Sequence, residues 1–330
     1  MKHITIGFSI HRPEVVDLIA DLMKGHEAIY LEEPPQPEFQ DMLAGALPVD
    51  DYLMSVDIEY PIFSRRMCQL MRKFYDDGTK IVQVEPFLQH LLDVHDFFSR
   101  GHRPEELKPD TLQHQVYVAE RDATKALLKF YETVIDGSFD AAVSAVMRFA
   151  RADAARFRLR DALRAGALST ELTPYASAYV EAGSIHYGLY QQLKKKLPAE
   201  VRVKPVFIDH QALKIIGRRG HLYGPGDQLT LRYILDPNSK NTDLEKRLAA
   251  RSLVYTKLVE KEELSADLAT FPHVRNEFAC IQAVQQLTLA DCHRLFPLIR
   301  LSKSVTARYV VDDYLRRFKK QAPPEKMLSN

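Results

Sequence analysis

The stretch Ala178-Tyr179-Val180-Glu181-Ala182-Gly183-Ser184-Ile185-His186-Tyr187-Gly188-Leu189 decides how this chain is read. An apolar run suited to a strand reaches a glycine, the tripeptide Ser-Ile-His follows, and a helix-like segment comes next. The N-terminus repeats the arrangement in Ile4-Thr5-Ile6-Gly7-Phe8-Ser9-Ile10-His11-Arg12-Pro13. Strand, glycine turn, histidine, helix is how α/β proteins set a reactive side chain at the carboxyl edge of a parallel sheet. Two copies predict that His11 and His186 meet in one site.

Outward from these stretches, strand and helix patterns alternate. Pro13 suits the first turn of a helix, and Val15, Val16, Leu18, Ile19, Leu22 and Met23 follow at helical spacing. His26–Leu31 reads as a second strand, its apolar run Ala28–Leu31 meeting Glu32-Glu33-Pro34-Pro35, and Thr79–Val84 as a third closed by Glu85-Pro86. Between them, 36–77 reads as helical with breaks at Pro37, Pro48 and Pro61. A further helix covers Phe87–Phe98. This βαβαβα order implies right-handed crossovers and a parallel sheet. Glu32, Glu33 and Glu85 then share the carboxyl edge with His11.

Residues 101–172 carry no strand pattern. Helical spacing over Tyr117–Ile135 and an arginine-rich Ala141–Ala165 predicts a helical insertion. After the central stretch, a helix is predicted over Leu189–Leu197 and a fifth strand over Arg202–Ile208. Pro205 lacks the N–H of a central ladder and places that strand at an edge. Gln228–Leu235 reads as a further strand, then the chain reads as helical from Asn241 to Lys320 with a polar tail. The fold class is therefore α/β: a mainly parallel sheet flanked by helices, with a helical insertion and a helix-rich C-terminal part. The expected α/β core is 1–100 with 173–235, the insertion 101–172, and the C-terminal helical region 236–330.

Bulk composition narrows the function classes. A chain of 330 residues with 46% hydrophobic and 27% charged residues can bury a sizeable globular core. Lys+Arg 45 against Asp+Glu 44 argues against a dedicated nucleic-acid or anionic-membrane surface. Cys68, Cys280 and Cys292 form no CxxC pair, which points to reduced thiols and no cysteine zinc cluster. No signal-peptide pattern opens the chain, and no uncharged run approaches the roughly 20 residues of a membrane span. A cytoplasmic location is expected. HExxH, GxSxG, Walker A, GxGxxG and EF-hand motifs are missing, which disfavours zincins, α/β-hydrolases, NTPases and nicotinamide dehydrogenases. The Gly220–Gly226 loop lacks the Lys-Ser/Thr ending of a phosphate cradle.

The candidate constellation is His11, Glu32 or Glu33, Glu85 and His186. Imidazoles with carboxylates suit two chemistries. One is a metal site on His11, Glu32 and His186 that lowers the pKa of bound water to about 7. The other is metal-free base catalysis, with a carboxylate orienting one histidine. The cofactor expectation is a divalent metal or none.

With those residues in view, the chain resembles the erythromycin esterase/ChaN/TraB superfamily. The resemblance rests on Gly7-Phe8-Ser9-Ile10-His11, Leu31-Glu32-Glu33-Pro34 and Gly183-Ser184-Ile185-His186, over roughly 1–35 and 155–200. Arg160-Asp161 stands where members carry an Arg-Asp or Arg-Asn on the helix before the late strand. Phe8 departs from the esterase type, which has an acid there. The resemblance implies an esterase or metal-dependent peptidase, with Arg160 stabilising negative charge. It also implies, less strongly, a non-catalytic haem-type binder using Tyr187 or the histidines. A partner-binding scaffold with C-terminal helices as its surface is a third expectation. The partners expected are a small-molecule or peptide substrate, without nucleic acid or membrane, and with a homo-oligomer left open.

Overall fold

The structure is a computed structural model that describes residues 2–240, 242–264 and 267–318. It divides into two compact units: 1–117 with 157–219 and 263–271, and 118–156 with 220–262 and 272–330. The first holds the sheet. Its order of elements starts with β1 (His3–Ser9), a short 3-10 turn Pro13–Val15, α1 (Val16–Met23) and β2 (Ala28–Leu31). There follow α2 (Phe39–Leu43), α3 (Val49–Ser55), α4 (Pro61–Asp76), β3 (Lys80–Gln83) and α5 (Pro86–Ser99). Two long helices, α6 (Leu112–Asp136) and α7 (Phe139–Glu171), come next. The unit finishes with β4 (Ser177–Gly183), α8 (Tyr187–Lys196), β5 (Arg202–Phe207) and α9 (Ile208–Ile215).

All five strands are parallel, in the order β3-β2-β4-β1-β5. The expected α/β class holds, and β5 with its Pro205 lies at an edge. The central strand is β4, whose Ile4↔Ala178 and Gly7↔Glu181 register aligns it with β1. From β1 the chain crosses to β2 on one side, and from β4 it crosses to β5 on the other. Adjacent strands whose connections depart in opposite directions open a crevice at their carboxyl ends. The two Ser-Ile-His stretches flank that crevice.

Strand burial follows from coverage on both faces. Nearly every residue of β1, β2 and β4 is buried, as in parallel sheets. Ile4, Ile6 and Phe8 of β1, with Ala178, Val180 and Ala182 of β4, meet Ala165 and Leu168 of α7, Leu172 just after it, and Leu189 and Leu193 of α8. Alternation turns Thr5 and Gly7 to the other face. There the Tyr179 ring crosses Gly7, and a Cβ on Gly7 would lie 1.9 Å from the Tyr179 hydroxyl. Gly7 therefore serves close approach inside a strand rather than the expected turn, and Gly183 is likewise the last residue of its strand.

Three local readings change. Gln228–Leu235 is helical, within α10 (Pro225–Leu235), not a strand. Pro225 occupies the first turn, and the Asp227 carboxylate accepts from the Gly224 N–H at 2.9 Å. Its buried residues Leu229, Thr230, Tyr233 and Ile234 recur at helical spacing. The expected insertion is not one piece, because α7 is continuous and its residues from Phe157 belong with the sheet. Helix α8 also begins two residues earlier than Leu189.

The second unit is all-helical among the described residues: parts of α6 and α7, then α10, α11 (Thr242–Leu258), α12 (Pro272–Gln285), α13 (Leu289–Ile299) and α14 (Ser304–Phe318). Its buried Glu245 is paired with Arg151 at 3.0 Å and accepts from Ser239 at 2.8 Å. The polar tail after Lys320 lies outside the described residues. No helix among them is long and apolar enough to cross a membrane.

Candidate functional site

Each strand delivers a polar side chain to the carboxyl edge. Glu32 follows β2, His186 follows β4 and His11 follows β1, from three neighbouring strands. Around Gly183 their atoms converge. A Cβ on that glycine would lie 3.6 Å from His186 Cδ2, 3.7 Å from Glu32 Oε2 and 4.0 Å from His11 Cε1. The structure thus brings both expected histidines together.

His186 is buried between two carboxylates. Its Nδ1 is 2.6 Å from Asp161 Oδ1 and its Nε2 is 2.7 Å from Glu32 Oε1. Burial alone would lower its pKa, but Glu32 and Asp161 outweigh it and push it up to about 9. His186 is therefore an imidazolium at neutral pH, with both N–H groups donated. Glu32 Oε2 accepts from the Gly183 N–H at 2.6 Å, which ties the end of β2 to the end of β4. Arg160 Nη2 and Arg164 Nη1 each lie 3.4 Å from the Glu32 carboxylate. Against the cost of burial, His186 and the two arginines hold Glu32 well below the usual carboxylate range.

His11 differs in every respect. It lines a cleft of about 540 Å³ with its ring stacked on Phe63 at a 5.1 Å centroid separation. Its Nε2 is buried and has no hydrogen-bond partner among the described residues. Burial lowers its pKa below 6.5, only partly opposed by Glu32 and aided by His186. At neutral pH it is an uncharged imidazole with an unused ring nitrogen. Glu33 faces the same cleft, where its Oε2 accepts from Gln83 Nε2 at 2.8 Å. Although much of the residue is exposed, enclosure of its carboxyl and the nearby Glu181 push it up to about 7. Glu181, also at the cleft, is buried and pushed up to about 7 by burial and Glu32. The two adjacent acids of Glu32-Glu33 therefore divide: Glu32 supports His186 and Glu33 serves the cleft.

Other expected residues land elsewhere. The Arg160 guanidinium lies between Glu32 and Glu85, 3.5 Å from Glu85 Oε2, and does not line the cleft. Glu85 is buried behind it, holding Arg160 rather than meeting a ligand. Tyr187 packs with Phe8, Tyr190 and Phe207 outside the cleft lining, so it is not placed as a ligand there. Phe8 is fully buried in that aromatic cluster and leaves no room for the acid of the esterase type. The expected metal set does not fit. Both His186 nitrogens are engaged by carboxylates, and two arginines occupy the Glu32 carboxylate. Among the described residues no group of three or more His, Cys, Asp or Glu is arranged to hold a metal ion. Cys68 lines the cleft, but burial and the neighbouring glutamates push its thiol up to about 12, which leaves no thiolate.

Asp161, which the sequence reading quoted only beside Arg160, is the second partner of His186. Three further supporting residues were given no role in the site. Arg164, fully buried, donates from Nε to Val84 O at 2.8 Å. Glu181 interrupts an apolar central strand, an anomaly readable from Tyr179-Val180-Glu181-Ala182. Asp209, just after β5, joins the two Ser-Ile-His stretches: it accepts from the Ile10 N–H at 3.1 Å and from the Ser184 hydroxyl at 2.7 Å. The Ser184 N–H also donates to Ser9 O at 3.0 Å.

The fold and site define an α/β protein with a cleft at the carboxyl edge of a parallel sheet. A protein of Archaeoglobus fulgidus described only as uncharacterized is 28% identical over 292 residues, 88% of this chain and 97% of its own length. No family model matches the chain, and no solved structure matches it.

Proposed function

We propose that this protein is a hydrolase of ester or amide bonds in which His11 activates water. The observation that carries the reading is the state of His11: an uncharged imidazole at the cleft wall whose buried Nε2 has no partner, beside Glu32 and Glu33. A general base needs a lone pair that water reaches and a pKa near the working pH, so the cycle requires the His11 ring to turn its buried nitrogen toward the cleft. In the proposed cycle, Nε2 takes a proton from water as its oxygen bonds to the carbonyl carbon. The ionised Glu32 stabilises the imidazolium that forms. The bond to the leaving group then breaks, and the protonated Glu33 carboxyl supplies that group's proton. Transfer of the imidazolium proton to the Glu33 carboxylate restores both. His186, with its nitrogens committed, acts through Glu32, and Arg160 and Glu85 fix the same carboxylate from behind.

The resemblance of the Gly7–His11, Leu31–Pro34 and Gly183–His186 stretches to the erythromycin esterase/ChaN/TraB superfamily supports the same reading. The test is a panel of chromogenic esters and amides turned over by wild type and His11→Ala. A loss of at least about 100-fold with unchanged circular dichroism is expected. Equal turnover in the two proteins overturns the reading.

A further inference from the structure

We infer that the cleft takes a small cationic amphiphile, a protonated amine carried on an apolar body. This rests on the cleft being the place of the chemistry, and it names the substrate class. The cavity of about 540 Å³ is of a size that encloses a small organic ligand. Its lining includes five acidic residues, Glu32, Glu33, Asp57, Glu59 and Glu181, and neither lysine nor arginine.

The five are not equivalent. Arg160, Arg164 and His186 answer the charge of Glu32 from inside the protein. Glu33 and Glu181 form no ion pair with any Lys, Arg or His among the described residues. Glu33 is held by the neutral Gln83 amide, and Glu181 by the Glu32 N–H at 3.2 Å. Glu181 is only 5% exposed, yet it lines the cavity. Burial and the neighbouring acids push both groups up to about 7, Glu33 through Glu181 and Glu181 through Glu32, and His11 and Arg164 oppose this only in part. An ammonium group placed beside Glu181 supplies the charge the protein leaves out, while at the pH of turnover Glu33 keeps the proton it gives to the leaving group. An anionic ligand meets only repulsion there.

The apolar part of the lining fits the rest of such a molecule. Leu88, Leu91, Leu92 and His95 recur at helical spacing on α5 and face the cavity, and Phe63 lies across from His11. Leu92 is 45% exposed, a large apolar side chain presented to an open cleft. A lining that combines unpaired carboxylates with a row of leucines suits a ligand that carries a positive charge on a hydrocarbon body.

The test compares three probes that share one body: 4-phenylbutylamine, 4-phenylbutanol and 4-phenylbutyrate. Each is titrated calorimetrically into the full chain at pH 8, where Glu33 and Glu181 are largely ionised. The amine is expected to bind at least tenfold tighter than the alcohol, and the carboxylate more weakly than the alcohol. Glu33→Gln and Glu181→Gln should each cut the amine's preference about fivefold and leave the alcohol unchanged. Equal binding of the three, tighter carboxylate binding, no amine binding, or a preference that survives both substitutions overturns the inference. The same titration on His11→Ala separates the two proposals. Failure of the hydrolase reading leaves the amine preference standing, and failure of the preference leaves turnover standing.

Discussion

Asp161→Asn tests the charge state around which the site is assembled. The substitution keeps an oxygen able to accept from the His186 Nδ1–H at the 2.6 Å contact and removes one negative charge. A His186 pKa of about 9, against 6.5 for an unperturbed histidine, corresponds to roughly 3 kcal/mol of differential stabilisation. Because the folded value is the higher one, that stabilisation is whole below pH 6.5 and is lost as pH rises through about 9. Glu32 works in the opposite direction: its depressed pKa contributes above about 4.5 and is lost in acid. The pair therefore contributes most between those limits. With one carboxylate gone, the His186 pKa should fall by about 1–2 units, equivalent to about 1–3 kcal/mol at pH 7. The new amide N–H₂ would replace Asp161 Oδ2, a buried oxygen without a partner, which adds a small desolvation cost. With two compact units in the chain, a single global unfolding transition is a poor readout. The assays are ¹⁵N titration of the imidazole and hydrogen exchange of the β4 amides. A wild-type His186 titrating at or below 6.5, or an unchanged pKa in Asp161→Asn, refutes the reasoning.

Four further outcomes follow from the same geometry. Turnover should be bell-shaped in pH, rising as His11 loses its proton below 6.5 and falling as Glu33 loses its own near 7; a flat kcat/KM profile from pH 5 to 9 contradicts this. Asp209→Asn should lower kcat about tenfold with little change in KM, because the Ile10 and Ser184 bonds orient His11 without touching a ligand; an effect confined to KM would exclude a positioning role. Gly7→Ala should cost about 1–3 kcal/mol, since the Tyr179 ring has no room to retreat, and β1 amide exchange reads the loss. Arg164→Met should destabilise the sheet unit by about 3–5 kcal/mol by leaving Val84 O without its donor and removing one of the cations that answer the buried Glu32, seen as faster exchange in β2 and β4.

Much of the fold was legible because β1 is a short apolar run and β2, β3 and β4 are short runs that end at or just before Gly, Pro or acid, and Pro205 marks an edge. Strand order was not: pairing β4 between β1 and β2 depends on long-range contacts that no local period encodes. Gln228–Leu235 misled because a short apolar run fits either period, and only the Gly224-Pro225 start tips it to a helix. The convergence of His11, Glu32 and His186 was readable from their matching strand ends. Their roles were not, because charge state depends on burial and on partners from α7. Arg160 illustrates this: its letters suit a cleft, but Glu85 and Glu32 draw it inward. Glu181 was the clearest missed signal, a charged residue inside the most buried strand.

The account stands most directly on one measurement: hydrolysis by His11→Ala with and without added imidazole. The cleft is wide enough to admit that molecule beside Glu32 and Glu33. The account predicts that turnover lost in His11→Ala returns in part, in proportion to free imidazole base, whereas Glu33→Gln gains nothing from it. Undiminished turnover in His11→Ala, or a loss that imidazole leaves untouched, would contradict His11 as the base.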